Sequence, residues 1–135
     1  MYLIDTNIWL ERLLEQDKSS EVATLLNIIP TNEIVISDFS FHSIGIIMTK
    51  LSKDKEFLIF VDDLFKNAKI SYVSLSHLYM KELLQSIRNY GLDFDDAYQL
   101  VCAEIYNLEI ITYDKDFNKN DIKVFNPSDI IKKYL

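Results

Sequence analysis

The residues best suited to chemistry in this sequence are aspartates that follow short apolar runs. Asp5 comes directly after Tyr2-Leu3-Ile4, and Asp114 comes directly after residues 110–113. Three further aspartates crowd together before the second run: Asp93, Asp95 and Asp96. Carboxylates held close together repel and raise one another's pKa unless a cation lies among them. Oxygen ligands of this kind suit Mg²⁺ or Mn²⁺ rather than zinc.

The spacing of the apolar residues predicts the strands and helices that position these acids. Short β-type runs predict strands at residues 2–4, 34–36, 70–73, 109–112 and 123–125. Segments of helical period lie between them, including one around residues 57–65 and one over residues 93–106, and a short helix follows from Pro127. We also expect Asp38 to cap the helix after the second strand.

Strands that alternate with helices predict a three-layer α/β/α sandwich around a central, mostly parallel sheet of about five strands. No linker, repeat or low-complexity tract interrupts the pattern, so we expect a single domain over residues 1–135. Parallel strands end at a common edge, where open α/β sheets bind their ligands. Asp5 and Asp114 are therefore predicted to lie at that edge, with the 93–96 cluster at a helix start beside it.

The acids other than Asp5 also have simpler explanations. Asp93, Asp95 and Asp96 can cap a helix and satisfy its dipole, as acidic residues in a first turn usually do. Asp114 and its neighbours can form a polar turn after a strand. The joint placement of acids from three distant segments therefore carries more weight than any one of them.

Composition limits the classes of function. The sequence has 21 acidic and 14 basic residues, a formal net charge of −7, which argues against a non-specific nucleic-acid binder unless cations or a partner neutralise it. The cluster Lys50, Lys53 and Lys55 is a solvated turn or, less often, a contact for a phosphate backbone. Cys102 is the one cysteine, which excludes an intrachain disulfide and a multi-cysteine zinc site. The sequence shows no signal peptide or long apolar span, so we expect a cytoplasmic protein.

Two motifs carry a resemblance to a known family. The opening MYLIDTNIWLERL resembles that of PIN-domain proteins, whose first strand runs into Asp-Thr/Ser-Asn. The segment LDFDDAYQLVCAEIYNLEIITYDKDF resembles their second half, where an Asp-Ala step opens a helix and a strand leads to Thr-x-Asp-x-Asp-Phe. The two motifs lie at opposite ends of the sequence, so the resemblance covers essentially the whole chain.

The resemblance implies roles for named residues. It makes Asp5, Asp96 and Asp114 the metal-binding and catalytic acids. Asn7 and Thr112 fall where the family places polar residues that orient the acids or a water molecule. The possible accessory residues that it implies are Thr6, Ser43, Asp95 and Asp116, with Asp116 the weaker candidate as a ligand.

Position 43 departs from the family pattern. The resemblance leads us to expect a glutamate there, in a stretch such as Ile-Ser-x-x-Ser/Thr-x-x-Glu, but the sequence has Ser43. Serine brings no charge, so we expect a weaker metal site and reduced activity. His42 lies one residue away, which on a helix turns it by about 100°.

The resemblance implies a metal-dependent endoribonuclease that uses Mg²⁺ or Mn²⁺ on single-stranded or structured RNA. Small members of the family resemble the toxins of toxin–antitoxin pairs, which implies a homodimer and an antitoxin partner. One alternative is a catalytically weakened PIN-fold scaffold, suggested by Ser43. The other is a receiver-like phosphoacceptor domain, which requires an aspartate after the third strand, where this sequence has Ser74-Leu75-Ser76.

Overall fold

Five short strands pair in parallel in the computed structural model, which describes residues 1–119 and 123–135. They are β1 (Tyr2–Ile4), β2 (Ile34–Ser37), β3 (Ser71–Val73), β4 (Glu109–Ile111) and β5 (Val124–Phe125). The observed bounds differ from the predicted ones by a residue at most. The predicted parallel sheet of about five strands is therefore confirmed.

Helices cover both faces of the sheet. They are α1 (Thr6–Leu13), α2 (Ser19–Ile28), α3 (Asp38–Lys50), α4 (Asp54–Val61), α5 (Met80–Tyr90), α6 (Phe94–Tyr106) and α7 (Pro127–Tyr134). Alternation along the strands divides the apolar side chains between two cores, because successive residues of a strand point to opposite faces. In β1, Tyr2 and Ile4 join the core beneath α1 to α4, whereas Leu3 joins the core beneath α5 and α6.

The order of the strands across the sheet is β3-β2-β1-β4-β5. The chain therefore builds outward from β1 on one side and then crosses to β4 on the other. The point at which the strand order reverses leaves a crevice at the carboxyl ends of the strands. That crevice lies beside β1 and β4, the two strands that precede Asp5 and Asp114.

Helices α5 and α6 each end at a residue with a left-handed backbone. Gly91 (φ 64°) caps the end of α5, and Asn107 (φ 55°) caps the end of α6. Glycine and asparagine are the residues that adopt this conformation at least cost. The turn at Gly91 lets α6 begin within four residues, at the carboxyl edge of the sheet.

Two local predictions were wrong. Ser37, not Asp38, caps α3: the Ser37 hydroxyl accepts the Ser40 N–H at 3.1 Å, and Asp38 is the first residue of the helix. An N-cap side chain bonds the N–H three residues on, so the serine that ends β2 is the better placed of the two. The helix expected around residues 57–65 divides into α4 and a wider π-helical segment, Asp62–Asn67.

None of the helices in the described ranges is both long enough and apolar enough to cross a membrane.

Candidate metal centre

Asp5 lies at the centre of the carboxyl edge, where the chain leaves β1. Its backbone N–H donates to the carbonyl of Ile111 at 3.0 Å, which ties it to the end of β4. Its side chain is the N-cap of α1 and accepts the Thr6 N–H at 2.8 Å. The carboxylate is thus fixed by a strand and a helix at once, and it is 7% exposed.

Four donors surround the Asp5 carboxylate. Oδ1 accepts the Thr6 N–H at 2.8 Å and the Gln99 amide at 3.1 Å. Oδ2 accepts the Thr112 hydroxyl at 2.7 Å and the Asn7 amide at 3.4 Å. These bonds favour the ionised acid, but burial outweighs them and raises the pKa of Asp5, and the charge of Asp114 raises it further.

Asn7 and Thr112 join the two acid-bearing segments. The Asn7 amide donates to the Thr112 hydroxyl oxygen at 3.1 Å and accepts the Tyr113 N–H at 3.2 Å. The same Thr112 oxygen accepts the Asp114 N–H at 2.9 Å. Both side chains therefore hold the loops after β1 and β4 in register.

Gln99 is a member of the site that the sequence analysis missed. It lies on α6 three residues after Asp96, is 2% exposed, and donates to Ser40 Oγ at 2.8 Å as well as to Asp5. Its Oε1 accepts the Ser37 hydroxyl at 2.7 Å. A single amide within the buried run Ala97–Ala103 is the sequence signal that was available, since buried polar groups need partners.

Asp96, Asp114 and Asp116 form a tight cluster in which one ligand oxygen from each lies within 4.8 Å of the others. The Asp114 carboxylate also accepts the Asp116 N–H at 2.9 Å. Asp116, the weaker candidate in the sequence analysis, therefore lies within this group. Asp93 and Asp95 form a second such group with Asp96, so that Asp96 belongs to both.

Asp96 is the acid most affected by its neighbours. Burial raises its pKa to about 7, with further contributions from the negative charges of Asp114, Asp95 and Asp5. Part of the capping alternative also holds, because Asp95 accepts the Asp96 N–H at 3.1 Å. Asp93 occupies the N-cap position of α6, but its side chain makes no capping hydrogen bond. An aspartate in the first turn of a helix can accept a backbone hydrogen bond there and still present its other oxygen to the pocket.

The acids open into one pocket of about 340 Å³. Its polar lining is Asp5, Thr6, Asn7, Ser43, Asp95, Asp96, Gln99 and Asp114. Leu10, Phe39 and Ile47 supply its apolar wall. Ser43 thus lines the same pocket as Asp5, Asp96 and Asp114, and Ser40, one turn earlier, accepts the Thr6 hydroxyl at 2.8 Å.

Other candidates lie away from this pocket. Lys50 ends α3, which begins at the carboxyl edge, so it lies about 18 Å along the helix from Asp38 at 1.5 Å per residue. Lys53 and Lys55 follow at the same far end. His42 is exposed. Cys102 is buried, and burial raises its pKa to about 12, as expected for an inert apolar thiol.

The donor set fits a hard divalent cation. The described pocket lining offers carboxylate, amide and hydroxyl oxygens, and it includes no basic residue that would neutralise the acids. Burial contributes most to the raised pKa of Asp96, and repulsion from Asp114, Asp95 and Asp5 adds to it. Mg²⁺ or Mn²⁺ would relieve that repulsion, whereas zinc prefers nitrogen and sulfur ligands.

Comparisons with known proteins agree with this architecture. The sequence matches the PIN domain family model over residues 2–123. No curated protein matches the sequence. The fold is similar to a chain from "Toxin-antitoxin complex from Klebsiella pneumoniae", with 23% identity and a TM-score of 0.76 over 94% of this chain and 98% of that one.

Two further solved structures show the same fold. FitAcB from Neisseria gonorrhoeae has 20% identity and a TM-score of 0.72, covering 95% of this chain and 99% of its own. VapC20 from Mycobacterium tuberculosis, described as a sarcin-ricin loop cleaving toxin, has 9% identity and a TM-score of 0.76, covering 90% and 96%. At such low identity, these structures establish a shared fold across nearly the whole chain.

Proposed function

Because this chain belongs to the PIN domain family, we propose that it is a metal-dependent endoribonuclease that cleaves single-stranded RNA. The observation that carries the proposal is the pocket at the strand-order reversal, which Asp5, Asp96 and Asp114 line together. Three segments distant in sequence converge on it. None of the residues described in the pocket lining is basic, so a bound cation would be the group that neutralises these acids.

Asp96 and Asp114 would bind Mg²⁺ or Mn²⁺ directly, with Asp116 as a further ligand. Asp5 already accepts four hydrogen bonds, which occupy the lone-pair directions of its two oxygens. Its longest contact, 3.4 Å to the Asn7 amide, is the one that a cation on Asp5 would replace. Two or three carboxylates with water molecules are enough to hold Mg²⁺.

The bound cation would make a water molecule a stronger nucleophile and offset the charge that builds on the phosphate. Thr112 and Asn7 keep Asp5 and the Asp114 loop at fixed positions, so the acids need not reorganise during the reaction. In-line attack by water leaves a 5′-phosphate and a 3′-hydroxyl, with no use of the RNA 2′-hydroxyl. Asp95 lies at the pocket wall, where it adds negative potential that favours cation uptake.

In the cell, we propose that the chain acts as the toxin of a cytoplasmic toxin–antitoxin pair. The Klebsiella pneumoniae structure is itself titled a toxin-antitoxin complex, which supports this role. An antitoxin protein would then silence the nuclease. We also propose that residues 1–135 act as one domain and assemble as a homodimer, because several large apolar side chains remain exposed, including Leu58, Leu78 and Leu84.

Ser43 supports a second candidate function, a PIN-fold scaffold with little or no catalysis. The hydroxyl faces the acidic pocket but adds no charge to it. Metal affinity and cleavage separate the two candidates, because a scaffold requires neither.

The test compares wild type with Asp114→Asn and with Asp62→Asn, an exposed aspartate outside the pocket that serves as the matched control. Mn²⁺ binding is followed by calorimetry, and cleavage is followed on a labelled single-stranded RNA with analysis of the product ends. We expect wild type and Asp62→Asn to bind Mn²⁺ and release 5′-phosphate ends, and Asp114→Asn to lose cleavage at least 100-fold, about 2.7 kcal/mol. A wild type that binds neither Mn²⁺ nor RNA contradicts the nuclease proposal.

A further inference from the structure

We infer that Phe94, backed by Phe39, stacks an unpaired nucleobase of the RNA beside the scissile phosphate; this inference rests on the proposed function. Phe94 is the first residue of α6, set between Asp93 and Asp95, and 47% of its side chain is exposed. Phe39 lines the acidic pocket itself. The two rings form an aromatic wall at the edge of the candidate metal centre.

The position of this wall follows from the fold. Phe39 lies in the first turn of α3 and Phe94 in the first turn of α6, and both helices begin at the carboxyl edge of the sheet. Their ring centroids lie 6.3 Å apart at an interplanar angle of 39°. The first turn of α6, which supplies Asp95 and Asp96 to the pocket, therefore also places the Phe94 ring at the rim of the pocket.

The inner part of the wall is held firmly. The Phe39 ring packs on Tyr98 at a centroid distance of 5.2 Å. Two hydrogen bonds fix Tyr98: its hydroxyl donates to Asp38 at 2.7 Å and accepts the Leu75 N–H at 2.8 Å. Phe94 rests on this fixed base, so its exposed ring is pre-organised and loses little conformational freedom on stacking.

The charge around the pocket explains why stacking is needed. The described pocket lining has no lysine or arginine to contact phosphate. Lys18 and Lys115 lie in the neighbouring cleft, on the other side of Asp114, where Glu21 and Asp129 accompany them. With a net charge of −7, the chain gains little from displacing counterions. Aromatic stacking supplies affinity without charge, and it selects single strands because paired bases are not free to stack on protein.

The experiment measures binding and cleavage separately in the full chain loaded with Mn²⁺. The probe is a short single-stranded RNA that carries one 2-aminopurine, whose fluorescence falls when it stacks, or an abasic site at the same position. The position is scanned across the nucleotides flanking the cleavage site. The variants are Phe94→Ala, Phe94→Leu, which keeps the apolar volume, and Phe94→Trp, which keeps the aromatic face. Exposure of Phe94 lets all three fold, and thermal unfolding checks this.

We expect Phe94→Ala and Phe94→Leu to weaken RNA binding roughly 5- to 150-fold, the range for loss of one stacked base, and to abolish the fluorescence change. Phe94→Trp should retain both. On RNA abasic at the matching position, wild type and Phe94→Ala should bind equally, because the base that Phe94 contacts is already missing. Mn²⁺ affinity should stay unchanged in all variants.

If wild type, Phe94→Ala and Phe94→Leu bind RNA equally, the stacking inference is wrong. If wild type still cleaves RNA in that case, the proposed nuclease function stands. The inference is also wrong if light scattering shows a lower particle mass for Phe94→Ala and Phe94→Leu and their RNA binding does not depend on the abasic position. Phe94 would then contact a second copy of the chain. If wild type neither binds nor cleaves RNA, the proposed function fails and the stacking inference fails with it.

Discussion

Gln99→Met tests whether the buried amide holds Asp5 in place or only fills space. Methionine has nearly the length and volume of glutamine but donates no hydrogen bond, so the substitution removes the polar contacts without opening a large cavity. Gln99 makes three side-chain hydrogen bonds, to Asp5, Ser40 and Ser37, at 2.7–3.1 Å. All three lie in the buried interior between α6, β1 and the start of α3.

The expected loss follows from the bonds removed. The bond to the Asp5 carboxylate involves a charged acceptor and contributes about 1.5–3 kcal/mol, and each bond to a serine contributes about 0.5–1.5 kcal/mol. The Ser37 and Ser40 oxygens keep other partners, since Ser37 accepts the Ser40 N–H and Ser40 accepts the Thr6 hydroxyl. We therefore expect a loss of about 3 kcal/mol in the free energy of unfolding, a large fraction of the roughly 5–15 kcal/mol typical of a domain.

The loss should depend on pH. The bond from Gln99 lowers the pKa of Asp5, so its removal raises a pKa that burial already holds above 3.8. A raised pKa in the folded state means that stability is lost as pH rises through it. The difference between wild type and Gln99→Met should therefore grow as pH rises and shrink on acidification.

The assay is urea unfolding with a metal chelator present, followed from about pH 4 to about pH 8. Gln85→Met, an exposed glutamine on α5, is the matched control and should change stability by no more than about 0.5 kcal/mol. A loss in the free energy of unfolding that is below about 1 kcal/mol for Gln99→Met and equal at every pH would refute the argument. A side chain that only fills space would not make stability depend on the charge of Asp5.

Three further substitutions test the acidic pocket. Ser43→Glu should add a carboxylate facing it and tighten Mn²⁺ binding, measured by calorimetry; unchanged affinity would show that position 43 does not reach the metal. Without metal, the free energy of unfolding should fall as pH rises from about 4 to about 7, because the pKa of Asp96 rises from 3.8 to about 7 on folding. Asp96→Asn should flatten this slope in urea titrations, and a persisting slope would assign it to other groups. Asp116→Asn should weaken Mn²⁺ binding several-fold relative to Asp62→Asn, and equal affinities would exclude Asp116 as a ligand.

The sequence predicted the fold well because its signals are local. Helical and β-type periods and the Asp5 motif each act within a few residues, and the strand bounds they predict agree with the structure to within a residue. The alternation of strands and helices then restricts the topology to a parallel sheet. The convergence of acids at one edge follows from that topology without knowledge of any side-chain contact.

The hydrogen-bond network around Asp5 could not be predicted from the sequence, because it joins residues that are distant along the chain. Gln99 contacts Asp5 across 94 positions of sequence, and that contact depends on which face of α6 turns inward and on β4 lying next to β1. Asp38 was the predicted cap, but Ser37, at the end of β2, has the extended backbone that an N-cap needs. Neither fact has a local signature.

The structure also changes what Ser43 means for the site. An uncharged residue on α3 leaves the pocket one carboxylate short of the family pattern, but Asp116 places an oxygen within 4.8 Å of both Asp96 and Asp114. That carboxylate comes from the segment after β4. We therefore propose that Asp116 adds a fourth carboxylate to the candidate site, next to Asp96 and Asp114. Because Asp5 already accepts four hydrogen bonds, we propose that a cation would be held chiefly by Asp96 and the loop after β4 rather than by α3.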